Sequence, residues 1–118
     1  MTAEEDRAAS SDDDSPDLWT EVLKDSDLAS GVQKLTWFGR QRVLLYRERE
    51  RVYAVADLCP HALQPINGGR IEQGVIRCPK HGACFELNSG RPTNRITDKP
   101  LTVFRVKIDA GRIMLAHG

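Results

Sequence analysis

From Leu18 onward, apolar and polar positions follow the two-residue period of half-buried strands. LWTEVL (18–23) alternates, and VQKLTWF (32–38), RVLLY (42–46) and VYAVA (52–56) are short runs rich in branched and aromatic side chains. They are separated by Gly39-Arg40 and Glu48-Arg49-Glu50, which read as turns. Two further strands are expected at LTVFRVKI (101–108) and RIMLA (112–116), joined by Asp109-Ala110-Gly111 as a three-residue hairpin loop with glycine in the left-handed position. No segment sustains a helical period, and SDLASG (26–31) makes at most one helical turn. The pattern predicts an all-β domain over residues 18–118. Trp19, Trp37, Phe38 and Tyr53 fall on its strands and are expected in the core or at its edge.

Residues 57–100 break the pattern. Five of the six prolines, five of the nine glycines and all three cysteines lie there. A proline-stiffened, glycine-turned insert on a β scaffold is where a site is best held.

Charge is spread unevenly along the chain. Net charge is zero, which argues against a chain built for nucleic acid or anionic lipid. Residues 1–17, however, carry seven acidic groups against Arg7 alone. With no large apolar residue after Met1, this segment is expected to be a disordered acidic tail. Set apart from 17 charges of each sign, it leaves 16 basic and 10 acidic groups on the remaining 101 residues. The alternating RERER (47–51) is expected to be a solvated hairpin tip. Neither a signal peptide nor a membrane span is legible, and with three cysteines no disulfide framework is expected, so the cytoplasm is the expected compartment. At 118 residues the chain has room for one ordinary domain.

The insert holds CPH (59–61) and CPKH (78–81), each offering one thiolate and one imidazole. Such ligands suit zinc or an iron–sulfur centre and not calcium or magnesium, which take oxygen. Taken singly, buried cysteines and surface histidines need no metal. Two pairs, each led by Cys-Pro in a turn-rich stretch, weaken that plain reading. Structural zinc sites usually pair cysteine with cysteine and histidine with histidine. Here each pair mixes the two, and Cys59 and His61 are one residue apart, which is tight for one ion and suits two neighbouring metals. A two-iron cluster with thiolates on one iron and imidazoles on the other fits that arrangement, with zinc as the rival.

The stretch CPHALQP…GG…RCPKHGACFELNSGRP resembles the Rieske 2Fe-2S family, whose signature is C-x-H followed by C-x-x-H. The resemblance covers about residues 18–118 and implies the Rieske fold, an antiparallel β-sandwich base carrying a cluster-binding subdomain at about 57–100. It implies one 2Fe-2S cluster, with Cys59 and Cys78 on the inner iron and His61 and His81 on the outer one. Gly82 would let the backbone pass close to the cluster, and Pro92 falls where the family has a third covering loop. Respiratory members join their cluster loops by a disulfide at places that here hold Gln64 and Lys80. They also carry serine and tyrosine hydroxyls where this chain has Ala83 and Phe85. With fewer donors to sulfur, the potential is expected towards the negative end of the roughly −150 to +300 mV Rieske range. Cys84, outside both pairs, is expected to pack as a small apolar residue. His117 is expected to be solvated.

Beyond His61 and His81 only His117 remains, so the two-histidine, one-carboxylate iron site of a Rieske oxygenase is not expected, and the chain is read as no enzyme. It is most similar to the Rieske ferredoxins of bacterial multicomponent ring-hydroxylating dioxygenases. That resemblance implies a soluble, monomeric one-electron carrier between a flavin-dependent ferredoxin reductase and the Rieske centre of a terminal oxygenase. The alternatives are a Rieske-like small subunit of an assimilatory nitrite reductase and a zinc-held interaction module.

Overall fold

The structure is a computed structural model describing residues 18–61 and 63–117. The segment read as an acidic tail, residues 1–17, lies outside the described residues. The base is built from two three-stranded antiparallel sheets. One runs β2 (Gln33–Phe38), β3 (Gln41–Glu48), β4 (Arg51–Ala56). The other has β1 (Thr20–Lys24), then β9 (Arg112–His117) in the middle, then β8 (Phe104–Asp109). The insert supplies a third sheet, β5 (Ile71–Glu72), β6 (Val75–Arg77), β7 (Cys84–Glu86).

Strand β3 explains how base and insert are joined. Val43, Leu44 and Leu45 are buried in a row, a pattern expected only where both faces of a sheet are covered. Successive side chains point to opposite faces. Val43 and Leu45 therefore join Ala54, Ala56, Ile113 and Leu115 in the core between the two base sheets. Leu44 and Val55 face the other way, into a second core with Ile66, Ile76, Phe85, Cys59 and Cys78. Each fully buried leucine or isoleucine contributes about 1.5–3 kcal/mol. The central sheet is thus a wall shared by the scaffold core and the core beneath the insert.

Several expectations are corrected. The terminal hairpin turns on two residues, because Asp109 pairs with Arg112 and both Ala110 (φ 52°) and Gly111 (φ 77°) are left-handed. That is the primed turn whose twist matches the flanking strands. Strand β8 begins at Phe104, not at residue 101, since Leu101 is buried and its N–H donates to the Gly90 carbonyl at 2.8 Å. Trp37 is no core residue: it is 61% exposed, on the outer face of β2. Nor is RERER wholly solvated. The Arg47 side chain is 13% exposed and pairs with Asp25, while its Nε donates to the Leu28 carbonyl at 2.6 Å. Asp25–Asp27 forms the single 3-10 turn that places these partners.

Candidate metal centre

The two Cys/His stretches form loops of one design. In the first, the Cys59 N–H donates to the Gln64 carbonyl at 2.7 Å and the Leu63 N–H donates back to the Cys59 carbonyl at 2.8 Å. In the second, which caps the β6–β7 hairpin, Cys78 N–H donates to Ala83 at 2.7 Å and Gly82 N–H donates to Cys78 at 2.9 Å. The fifth residue of each loop is left-handed, Leu63 at φ 54° and Gly82 at φ 80°. Glycine takes that conformation without steric cost, whereas leucine does not. Leu63 nevertheless points its side chain outward, 69% exposed.

This shared geometry sorts the side chains. Cys59 and Cys78 are 0% and 1% exposed and belong to one buried cluster. His61 and His81 are exposed, with ring centroids 5.2 Å apart and planes at 84°. None of the three cysteines is in a disulfide. The four residues singled out from the sequence come together in two layers, the thiols in one buried cluster and the imidazoles exposed and in ring contact. Among the described residues, no three Cys, His, Asp or Glu side chains gather as they do around a single ion. Soft thiols inside and imidazoles at the surface are the donor set that a two-iron cluster with unlike irons takes.

Three polar side chains that sequence reasoning missed hold the loops in place. Asp57 has its side chain fully buried; one carboxylate oxygen accepts from Ile66 N–H at 2.9 Å and Asn67 N–H at 2.7 Å. The other accepts from Asn67 Nδ2 at 2.8 Å and pairs with Arg42 Nε at 3.0 Å. Its carboxylate thereby closes the first loop on itself, tying the residue before Cys59's turn to the residues after it. Gln33, on β2, receives Gly68 N–H on its Oε1 at 2.9 Å and donates Nε2 to the Gly69 carbonyl at 2.7 Å. Asn94 donates to the Gly82 carbonyl at 2.9 Å and accepts from Cys84 N–H at 3.3 Å. Only Asp57 left a trace in the sequence, as an acid directly after the apolar run of β4. Gly69 lets the loops approach: a Cβ there would lie 2.1 Å from the Arg77 carbonyl oxygen.

The remaining sequence-predicted residues are mixed. Ala83 and Phe85 are fully buried. Pro92 bridges to Phe85, which brings the third loop alongside β7. Cys84 is only half-buried, and its Sγ lies 3.5 Å from the Gly82 carbonyl, so it is not the core residue expected. His117 is exposed, with its ring 4.7 Å from that of Phe38.

A β fold that brings two loops of one design together, each with a buried thiol and an exposed imidazole, defines a class. Residues 18–108 match the model of the Rieske [2Fe-2S] domain, and the chain belongs to that family. Its cofactor is a Rieske-type 2Fe-2S cluster. Among its relatives is Ferredoxin CarAc of Metapseudomonas resinovorans, 30% identical over 84% of this chain and 94% of that protein. Among solved structures, the ferredoxin of carbazole 1,9a-dioxygenase from Nocardioides aromaticivorans IC177 is 26% identical, with a TM-score of 0.79 over 85% of this chain and 98% of that one. A ferredoxin chain of 30% identity is found in a complex of reduced oxygenase and oxidized ferredoxin in carbazole 1,9a-dioxygenase, with a TM-score of 0.75 over 84% of this chain and 93% of that one.

Proposed function

We propose that the chain is a one-electron carrier, the ferredoxin component of a multicomponent ring-hydroxylating dioxygenase system, holding its cluster through Cys59, Cys78, His61 and His81. The observation that carries this reading is the sorting of the twin loops, which buries both thiols and presents both imidazoles side by side at the surface. When bound, the cluster supplies a reversible one-electron couple. Around it, this chain's residues have distinct tasks. Cys59 and Cys78 bind from within a dry core, with Ile66, Ile76 and Phe85 excluding water. His61 and His81 would hold the cluster from the exposed side, where each imidazole has one ring nitrogen beyond the one that binds iron. Ala83 and Phe85 bring no hydroxyl to the centre, which keeps the potential low.

The carrier takes its electrons from a flavin-dependent reductase and delivers them to a terminal oxygenase with its own Rieske centre. The similar structure solved as a complex of oxygenase and ferredoxin supports the second half of that path. It works as a monomer in the cytoplasm; among the described residues no helix is long and apolar enough to cross a membrane. The test is the EPR spectrum of the purified protein after dithionite reduction. A rhombic signal with an average g below that of an all-cysteine cluster is expected. A silent spectrum from intact, metal-bearing protein would favour zinc, and the carrier reading would fall with it.

A further inference from the structure

The two imidazoles are alike in exposure but not in surroundings. Beside His81 runs a groove of about 410 Å³ between the second loop and the Gly68–Gly69 turn, and its charged lining is Arg70, Arg77 and Lys80, with no acidic residue among them. Arg77 is folded against the loop itself, its guanidinium 3.0 Å from where a Cβ on Gly82 would sit. Among the described residues neither Arg77 nor Lys80 makes an ion pair. Arg70 has one, with Glu72 at 3.4 Å, and both of those side chains are more than two-thirds exposed. An exposed pair of this kind holds little energy and gives way readily to another carboxylate. On the first loop's side the neighbours are instead apolar, Leu58 at 46% and Leu63 at 69% exposure.

Like charges drawn together around one groove repel one another, and an opposing charge relieves that repulsion. We infer that this groove is a docking site for carboxylates on an acidic protein surface, that of the partner exchanging electrons through His81. The inference rests on the carrier reading and adds to it the sign and place of the partner's charge. An acidic patch facing Arg70, Arg77 and Lys80 orients the encounter, so that His81 is met in one rotation and the apolar side around Leu63 is left for close contact. Steering of this kind acts on the association rate and fades as salt shortens the range of the field.

Small redox ions of opposite charge probe that field on the whole, cluster-bearing protein. The dithionite-reduced chain is freed of excess reductant and mixed in a stopped-flow with ferricyanide, a trianion, or with tris(phenanthroline)cobalt(III), a trication. In each case one electron leaves the protein, reducing iron(III) to iron(II) or cobalt(III) to cobalt(II). Between about 10 and 200 mM sodium chloride, the ferricyanide rate is expected to fall about tenfold and the cobalt rate to rise. The Arg70→Glu/Lys80→Glu variant is expected to reverse both slopes. Arg49→Glu/Arg112→Glu carries the same change of net charge at turns of the base, and is expected to keep them.

In a second readout, amide signals of residues 77–82 are expected to shift with a hexaglutamate peptide and not with hexalysine. Salt-independent rates, or equal effects of the two double variants, would overturn the docking site. So would saturation of the ferricyanide effect by inorganic phosphate at constant ionic strength, which would make the groove a small-anion site. A chain that dithionite cannot reduce would overturn the carrier reading instead, and the two failures are distinct.

Discussion

Replacing Asp57 puts the construction of the first loop to its hardest test. The side chain is fully buried and holds two backbone N–H groups, one side-chain amide and the Arg42 guanidinium. Hydrogen bonds to a charged group are worth about 1.5–3 kcal/mol each but do not add when one group makes them all. Asp57→Ala removes every acceptor at once, strands the buried Ile66 N–H and leaves the Asn67 amide without its bond. Breaking a buried charged network costs about 3–5 kcal/mol. A domain of this size has only about 5–15 kcal/mol to lose. At roughly 4–8 °C per kcal/mol, the melting temperature should fall by about 12–40 °C. Asp57→Asn keeps an acceptor for the two backbone groups and should lose about half as much. Arg42→Ala leaves the buried carboxylate its three N–H donors but takes away its cation, and should cost about 1–3 kcal/mol, less than Asp57→Ala. Thermal unfolding by circular dichroism gives these differences, and hydrogen exchange at Ile66 and Asn67 places them in the loop. If Asp57→Ala lowers stability by less than about 1 kcal/mol, the carboxylate does not close the loop.

Gly69→Ala forces a Cβ onto the Arg77 carbonyl and should cost about 2–3 kcal/mol in chemical unfolding, with a parallel loss of bound iron per chain; an unaffected variant would mean that the two loops have slack. Leu63→Gly relieves a left-handed leucine, worth about 1–2 kcal/mol, against a loss of about 0.5–1 kcal/mol from glycine's chain entropy, so the melting temperature should hold or rise slightly. A clear drop would show that Leu63 supports the fold. Ala83→Ser restores a hydroxyl two residues after His81, and one hydrogen bond of about 1 kcal/mol should raise the midpoint potential by about 40 mV, read by spectroelectrochemical titration. An unchanged potential would detach residue 83 from redox tuning. The Ser89 hydroxyl and then Arg91 hold the Glu86 carboxyl below the usual carboxylate range. The bonds of that turn therefore add stability above the unfolded pKa and lose it as pH falls through the lower, folded one. Ser89→Ala should move the Glu86 titration, followed by NMR, back upward.

What was legible in the sequence is what local pattern encodes. The six base strands stand within three residues of the places given by alternation and turn residues, and the four Cys/His residues were found because their spacing is local. The hairpin at Ala110-Gly111 was missed by one residue because alanine rarely adopts positive φ, so Asp109 was counted as loop. Trp37 was misplaced because alternation alone does not say which face of β2 is covered. The loop clamps were hidden for another reason. Gln33 reaches Gly69 across 36 residues and Asn94 reaches Gly82 across 12, and neither has a neighbouring residue that marks it. Polar side chains that brace a site through backbone groups belong to the tertiary structure, and their sequence positions look like those of any surface amide.

The twin loops carry a consequence for speed. An electron changes the charge between them by one unit, and every atom that moves in response slows its passage. Here each cysteine's own N–H and C=O are already committed within its loop at 2.7–2.9 Å, and the loops are braced by Asp57, Gln33 and Asn94. Their dipoles are set before the charge arrives, so the surrounding protein has little left to rearrange. A tip that stays nearly still between its two charge states favours rapid exchange across a contact that lasts only briefly.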